Sequence, residues 1–166
     1  MGRTDFTQQR CPVARSMAVL GERWAILILR EAFYGTTRFD EFQRNLGIAP
    51  NILSARLRGL VAHGVLERAP GAAGGARHEY RLTEKGRDVF PAYLALKRWG
   101  DRWMAPAEGP VVELRERATG REVSAAPPLG SDGRPIGPED VVALPGPGAT
   151  PAMRARFAAK RENDGA

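Results

Sequence analysis

One predicted helix carries a set of side chains that can read the edges of DNA bases. The segment at residues 50–63 repeats apolar residues with the period of a helix, which predicts one buried side. The apolar residues are Leu53, Leu57, Leu60 and Val61, and the opposite side carries Asn51, Ser54, Ala55 and Arg58. Asn pairs with adenine, Arg with guanine, Ser binds phosphate or a base edge, and Ala contacts the thymine methyl group. Such an outward face fits a DNA major groove; the alternative is an ordinary solvated polar face.

This segment forms the second half of a helix pair. Residues 39–46 have the apolar spacing of a short helix that ends at a glycine, and Pro50 begins the next helix soon after. Two helices joined by so short a turn are typical of a helix-turn-helix. Additional contacts to the DNA backbone are predicted at Thr37, Arg38 and Arg56.

A basic hairpin follows the helix pair. Residues 65–68 and 78–82 alternate like strands, and the Gly- and Ala-rich segment 69–76 between them predicts a loop. The flanking basic residues are Arg68, Arg77, His78 and Arg81. A narrow loop of small residues can enter the minor groove while arginines neutralise phosphates. We therefore predict a DNA-contacting wing with Arg77 and His78 as its contacts, although any single Arg here is equally consistent with a solvated charge.

The remaining elements predict a mainly helical scaffold. Apolar spacing after Pro12 and over residues 23–34 predicts two helices ahead of the pair. Thr83 is a suitable N-cap for a long helix that reaches residue 104, in which Pro91 is expected to introduce a kink. The predicted fold class is mainly α with a small β-hairpin wing, which is a winged helix-turn-helix, followed by a Pro/Gly-rich C-terminal extension.

Charge and composition divide the 166-residue chain into unequal parts. Residues 1–105 carry 17 Lys and Arg residues against 10 Asp and Glu residues, a net charge of +7, whereas residues 106–166 carry 8 against 9. Residues 106–151 contain 9 Pro and 7 Gly residues. We expect a flexible segment at 1–10, a basic DNA-binding domain at 11–105, and an extension at 106–166 with a short hairpin near 111–123 and a terminal helix near 153–161.

Composition also argues against several functional classes. The chain has no run of about 18 apolar residues, so no membrane span is expected, and no secretory signal is visible. Cys11 is the single cysteine, which excludes an internal disulfide, and with only His63 and His78 a metal centre is not expected. We find no paired-carboxylate, nucleophile–base or phosphate-loop motif. The expectation is a cytoplasmic protein that is not an enzyme and has no cofactor.

The ordered set of elements resembles the HxlR family of winged helix-turn-helix transcription regulators over about residues 11–105. The matching stretches are CPVARSMAVLGERWAILILR at 11–30, RFDEFQRNLGIAPNILSARLRGL at 38–60, GVLER at 64–68 and YRLTEKGRDVFPAYLALKRWGDRW at 80–103. The resemblance implies a homodimer on a palindromic operator in double-stranded DNA, with one recognition helix in each half-site. Where the family often has Ser before the recognition-helix proline, this chain has Ala49, which removes a helix cap.

The resemblance further implies that the first and last helices pack between subunits. The candidate interface residues are Val13, Met17, Leu94, Trp99 and Trp103. The two tryptophans lie four residues apart and share a helix face, which is more apolar surface than a small core needs. The alternative is that both pack within one subunit.

Cys11 is the one chemically reactive candidate. It lies beside Pro12 at a helix start and near Arg10 and Arg15, an environment that favours thiol reactivity. In some members of the resembled family, a cysteine at this position senses oxidants, quinones or aldehydes. As the single cysteine it would act by alkylation, a mixed disulfide or an intersubunit disulfide. The alternative is a small residue packed at the subunit interface.

A second functional class stays open: a dimer that binds a small aromatic molecule or a natural product and has little or no DNA-binding role. Its apolar pocket would lie at the subunit interface and be lined by Trp24, Phe33, Trp99 and Trp103. Core packing is the alternative for these residues. Salt separates the two functions, because DNA binding weakens steeply with salt and apolar ligand binding does not.

The extension is similar to one found in some HxlR-type proteins, where Cys-Gly knuckles precede a Gly-Pro-Gly segment. Turn residues at 118–120 and 130–133 occupy the knuckle positions without cysteine, and residues 145–148 match the later segment. The resemblance implies knuckles shaped by turn residues alone, without zinc. The alternative is a flexible extension.

Overall fold

A computed structural model describes residues 6–71 and 78–164 of the chain. Arg77 and most of the predicted wing loop lie outside the described residues. The helices and strands are α1 (Pro12–Leu20), α2 (Arg23–Phe33), α3 (Phe39–Leu46), α4 (Pro50–Ala62), β1 (Leu66–Pro70), β2 (His78–Leu82), α5 (Glu84–Arg87), α6 (Phe90–Met104) and α7 (Pro151–Asp164). Short 3₁₀ turns lie at Phe6–Gln8 and Pro138–Asp140.

The core lies between α2, α3, α4 and the start of β1. Its buried members are Ala25, Ile28, Leu29, Phe42, Ile48, Leu53, Leu57, Leu60, Val65 and Leu66. On α4 the three leucines are buried and Val61 is partly buried, because the apolar stripe of this helix faces α2 and α3. The helix pair is therefore held by side chains that the apolar spacing identifies.

The wing is wider than a two-stranded hairpin. β1 and β2 pair antiparallel from Leu66↔Leu82 to Pro70↔His78. Arg38 forms a further antiparallel bridge with Glu79, and the Tyr80 amide donates a hydrogen bond of 2.8 Å to the Thr37 carbonyl. The sequence analysis missed this pairing because a segment of two residues has no measurable alternation. The half of β2 nearer the wing loop is consequently attached to the start of α3.

The prediction of one long helix after Thr83 is wrong, because the structure has two helices there. The chain forms the short helix α5, breaks at Asp88 and Val89, and begins α6 at Phe90. Pro91 lies in the first turn of α6, where the missing amide hydrogen is no loss because that amide has no acceptor within the helix. The proline therefore follows a break between two helices and does not kink one.

Thr83 is the N-cap of α5, as predicted. Its Oγ1 accepts a hydrogen bond from the Gly86 amide at 3.1 Å. The same hydroxyl lies 2.7 Å from the Gly64 carbonyl oxygen, to which it donates. One side chain thus joins the turn after α4 to the helix that follows the wing.

The substitution Thr83→Ala is expected to lower the free energy of unfolding by about 1–2 kcal/mol, because it removes the cap and leaves the Gly64 carbonyl without its donor. Urea denaturation followed by circular dichroism measures the loss. Thr83→Ser keeps the hydroxyl and should lose less than half as much. Equal losses in the two variants would refute the capping role.

The chain divides into two compact units after Ala125. In the first unit, one antiparallel bridge between Arg115 and Glu122 closes the turn at the predicted hairpin, and Gly120 has φ 70°. In the second unit, a bridge between Leu129 and Pro135 closes another turn, and α7 follows where a terminal helix is predicted. The domain boundary between residues 105 and 106 stays a prediction.

Candidate nucleic-acid interface

The polar side of α4 is open to solvent. Asn51, Ala55 and Arg58 are exposed, and Ser54 is half-buried at the flank. An Arg58 Nη1 hydrogen bond of 2.8 Å to Ser54 Oγ connects two consecutive turns of the helix. The bond uses one of the five guanidinium N–H groups, so the others remain directed outward for a base edge or a phosphate. The four residues predicted to read DNA are thus brought together on one accessible helix face.

The start of α4 is defined by Pro50 in the first turn, with Ala49 at the N-cap position. Alanine has no side-chain acceptor, so it cannot satisfy an amide of the first turn. The N-terminus of a helix favours negative charge, because its amide groups and its dipole point outward. This end of α4 can therefore approach the DNA backbone without competition from a capping side chain.

Arg56 lies on a different side of α4 from the other candidates. Its guanidinium forms an ion pair of 2.8 Å with Glu22, the residue that precedes α2. Arg56 Nε is buried and has no hydrogen-bond partner within the described part of the chain. The geometry places Arg56 between α4 and the start of α2, and its contact with a phosphate stays a prediction.

Arg38 and Thr37 lie where the wing meets α3. Arg38 is the N-cap residue of α3, and its amide lies 3.4 Å from the Glu41 carboxylate that accepts from it. Its guanidinium forms a partly exposed pair of 3.1 Å with Asp40. The Thr37 carbonyl is engaged with β2, which leaves its hydroxyl as the group available to a phosphate. Both predicted contacts are held near the first turn of α3.

His78 begins β2 and is exposed. It lines a cavity of about 280 Å³ together with Arg38, Phe39 and Asp40. Arg38 and His78 are separated in sequence, but they therefore lie on one surface where β2 meets the start of α3.

Four of the five candidate dimer residues are exposed, and the fifth is partly exposed. Val13 and Met17 on α1 and Trp99 and Trp103 on α6 are all exposed, whereas Leu94 is only partly so. The exposed Leu96 and Met104 add to the apolar surface of α6. Sequence reasoning missed these two because it weighted the tryptophans. An apolar surface of this kind on a small domain is typical of an interaction site.

The four residues of the predicted interface pocket separate into two groups in the single chain. Trp24 and Phe33 pack against the core, and the Phe33 ring meets the Phe90 ring edge-on with centroids 5.1 Å apart. Trp99 and Trp103 are exposed on α6. The described cavities do not bring the four together, and a pocket between subunits stays a prediction.

Cys11 is exposed and directly precedes α1. Its carbonyl accepts a hydrogen bond of 3.0 Å from the Arg15 amide, which fixes its backbone to the first turn of the helix. The thiol is therefore accessible to reagents at the start of a predicted dimerisation helix.

Among the described residues, no group of three His, Cys, Asp or Glu side chains could hold a metal ion. In the same part of the chain, no helix has the length and apolar character needed to span a membrane.

Together, the helix pair, the exposed face of α4 and the hairpin attached to α3 define a winged helix-turn-helix protein, which confirms this part of the predicted fold class. The Pro/Gly-rich C-terminal extension stays a prediction. The family model for HxlR-like helix-turn-helix proteins matches residues 19–108. The chain belongs to this family, which confirms the resemblance found in the sequence.

Known proteins of similar sequence and structure extend this result. The uncharacterized HTH-type transcriptional regulator Rv3095 of Mycobacterium tuberculosis is 45% identical over 136 residues, which cover 82% of this chain and 86% of Rv3095. The crystal structure of PA1607, a proposed transcription factor, is similar at 45% identity with a TM-score of 0.77, covering 84% of this chain and 98% of PA1607. The oxidized redox regulator HypR is 33% identical with a TM-score of 0.53, covering 58% and 100% respectively.

Proposed function

We propose that this protein is a sequence-specific DNA-binding transcriptional regulator that acts as a homodimer on a palindromic operator. The observation that carries the proposal is the exposed face of α4, where Asn51, Ser54, Ala55 and Arg58 lie together opposite the buried leucines. Such a face presents donors and acceptors that match base edges in the major groove. The names of Rv3095 and PA1607 support the same function.

Contacts to DNA phosphates are proposed in addition to the base contacts of this face. The proposed contacts to the DNA backbone are Thr37 and Arg38 at the start of α3, Arg77 and His78 in the wing, and Arg56 on α4. The attachment of β2 to the start of α3 supports their joint action, because the main chains of Thr37 and Arg38 pair with β2. Contacts of this kind set the register of a protein on DNA, while base contacts supply the sequence preference.

The function requires a DNA ligand that is not yet identified, so the test begins with selection. The full-length protein is used to enrich duplexes from a randomised library, and the affinity for the enriched DNA is measured by fluorescence anisotropy. We expect inverted half-sites with centres about one helical turn apart. The affinity should fall by about 10³–10⁵ between about 50 and 200 mM salt if about six to ten phosphates are contacted. Failure to enrich any shared sequence would refute the proposal.

The proposed dimer forms through α1 and α6, with Val13, Met17, Leu94, Trp99 and Trp103 at the interface. The exposure of all but Leu94 in the single chain supports this assignment. We expect sedimentation equilibrium at micromolar concentration to give twice the mass of one chain. Trp103→Asp should shift the measured mass toward that of one chain. The control Leu129→Asp, at an exposed position in the extension, should leave the mass unchanged. A single-chain mass for the unmodified protein would contradict the dimer.

The proposed regulation is a change in operator occupancy when a ligand or a thiol modification alters the spacing of the two recognition helices. The exposed thiol of Cys11 at the start of α1 supports the second route, as does the similarity to the redox regulator HypR. Treatment with diamide should change the DNA affinity of the unmodified protein and leave that of Cys11→Ser unchanged. An equal response of both proteins would exclude Cys11 as the sensor.

A further inference from the structure

A cavity of about 810 Å³ lies between α2, α6 and the segment that follows α6. Its volume falls in the range of about 300–1,000 Å³ that is typical of small-molecule sites. Apolar side chains dominate its walls, and those that matter here are Ile26, Leu27, Leu96, Met104, Val111 and Val112. None of the four residues of the sequence-predicted interface pocket lines this cavity.

One part of the cavity wall is polar and holds a pair of hydroxyl groups, one of which belongs to the buried residue Tyr93 and the other to the exposed residue Tyr34. The hydroxyl oxygens of Tyr34 and Tyr93 lie 2.6 Å apart and share a hydrogen bond. Burial and the bond to Tyr34 raise the pKa of the Tyr93 hydroxyl above its usual range, so this phenol stays neutral. Because one proton is used within the pair, the other proton and the free lone pairs can bind a ligand. Tyr93 is only 5% exposed, so only a group that enters the cavity reaches it.

The charged groups of the cavity wall neutralise each other. Arg30 pairs with the buried Glu31 at 2.9 Å, and Lys97 pairs with Asp101 at 2.5 Å. Two cations and two anions thus leave no net charge to attract an ionic ligand. A charged ligand would have to break one of these pairs, which is costly where the groups are partly buried.

We propose that this cavity is an effector site for a neutral, largely aromatic small molecule with one hydroxyl or carbonyl group. The aromatic part lies against the apolar side chains of α2, α6 and residues 111–112, and the polar group joins the Tyr34–Tyr93 hydroxyl pair. Concave, mainly apolar sites with a few convergent polar groups are the usual form of such ligand sites.

The cavity is connected to the helix pair. Asn45 on α3 lines the cavity and donates a hydrogen bond of 3.0 Å from Nδ2 to Glu31 Oε2 on α2. A ligand beside these residues would change how α2 supports α3, and α3 leads directly into α4. This effect on DNA binding rests on the proposed function, whereas binding of the ligand does not.

Gly100 offers a direct way to close the cavity. It lines the cavity on α6, and a Cβ atom added there would have no heavy atom within 4 Å among the described residues. A side chain can therefore begin at this position without displacing the backbone, and we expect Gly100→Leu to fill part of the cavity. Ala95→Leu is the matched control, because Ala95 is exposed on the same helix and does not line the cavity.

The test uses 2-naphthol, naphthalene and 2-naphthoate with the full-length protein in equilibrium dialysis. We expect 2-naphthol to bind at one site per chain and to bind more tightly than the other two. Gly100→Leu should weaken 2-naphthol binding by at least about tenfold, and Ala95→Leu should retain it. The double substitution Tyr34→Phe, Tyr93→Phe should weaken 2-naphthol by about two- to tenfold and leave naphthalene unchanged. Equal binding to Gly100→Leu and the unmodified protein would overturn the site.

The link to DNA is measured separately on the selected duplex. We expect 2-naphthol to change the DNA affinity of the unmodified protein and of Ala95→Leu, and to have no effect on Gly100→Leu. Normal 2-naphthol binding with an unchanged DNA affinity would overturn the effector role alone. If the unmodified protein does not bind DNA when no ligand is present, the result counts instead against the proposed function.

Discussion

Arg58→Ala is expected to weaken binding to the selected operator by about 1–3 kcal/mol, which is about 5- to 150-fold, and to relax the preference at one base pair of each half-site. Arg58 is exposed on the polar face of α4, and its hydrogen bond to Ser54 fixes the guanidinium above the preceding turn. A guanidinium held in this way can make two parallel hydrogen bonds to guanine. Alanine removes both bonds and retains the helix.

The control for this prediction separates a base contact from a general loss of charge. Arg117→Ala removes one positive charge from an exposed position in the turn between Arg115 and Glu122. It should lower the affinity for operator and for random DNA by the same small factor. If Arg58→Ala behaves like Arg117→Ala in both measurements, Arg58 is not a base-reading residue. Circular dichroism of each variant checks that α4 remains folded.

Phe42→Ala is expected to have the largest effect on stability, a loss of about 3–5 kcal/mol in the free energy of unfolding. Phe42 lies on α3, is fully buried and packs in the core with the leucines of α4. Alanine loses the apolar contacts of the ring and leaves a cavity between the two helices of the pair. Domains of ordinary size have a net stability of about 5–15 kcal/mol, so this loss is a large fraction of the total.

Phe6→Ala provides the comparison for Phe42→Ala. Phe6 lies in the 3₁₀ turn before α1 and is 38% exposed, so the same substitution should cost less than about 1 kcal/mol. Urea midpoints followed by circular dichroism measure both variants. Similar losses at the two positions would mean that α3 is not packed as the structure places it.

The sequence predicts the elements whose signals are local. The apolar period of residues 50–63 identifies both the buried leucines and the exposed polar face of α4, because a helix with one stripe of leucine can bury only that stripe. Thr83 is predictable for a similar reason, since a threonine directly before a helix has a preferred capping role. The fold class follows from the order of these local signals.

Other features depend on contacts between distant residues and have no local signal. The Arg56–Glu22 pair joins α4 to the start of α2. The helical period places Arg56 and Arg58 on different sides of α4, but it does not identify Glu22 as the partner of Arg56. The Tyr34–Tyr93 pair likewise joins the end of α2 to α6. The break before Phe90 was missed because a proline in a helical pattern predicts a kink and a helix start equally well.

The bridge between Arg38 and Glu79 has a consequence for the order of folding. A two-stranded hairpin is marginally stable in water by itself, and here β2 gains, near the wing loop, a partner that lies far earlier in the chain. The wing therefore becomes stable only after α3 has docked on the core. We expect the Tyr80 amide, bonded to the Thr37 carbonyl, to exchange its hydrogen at the rate of the α3 amides. α3 and the wing then form one cooperative unit, so local unfolding of α3 also releases the wing.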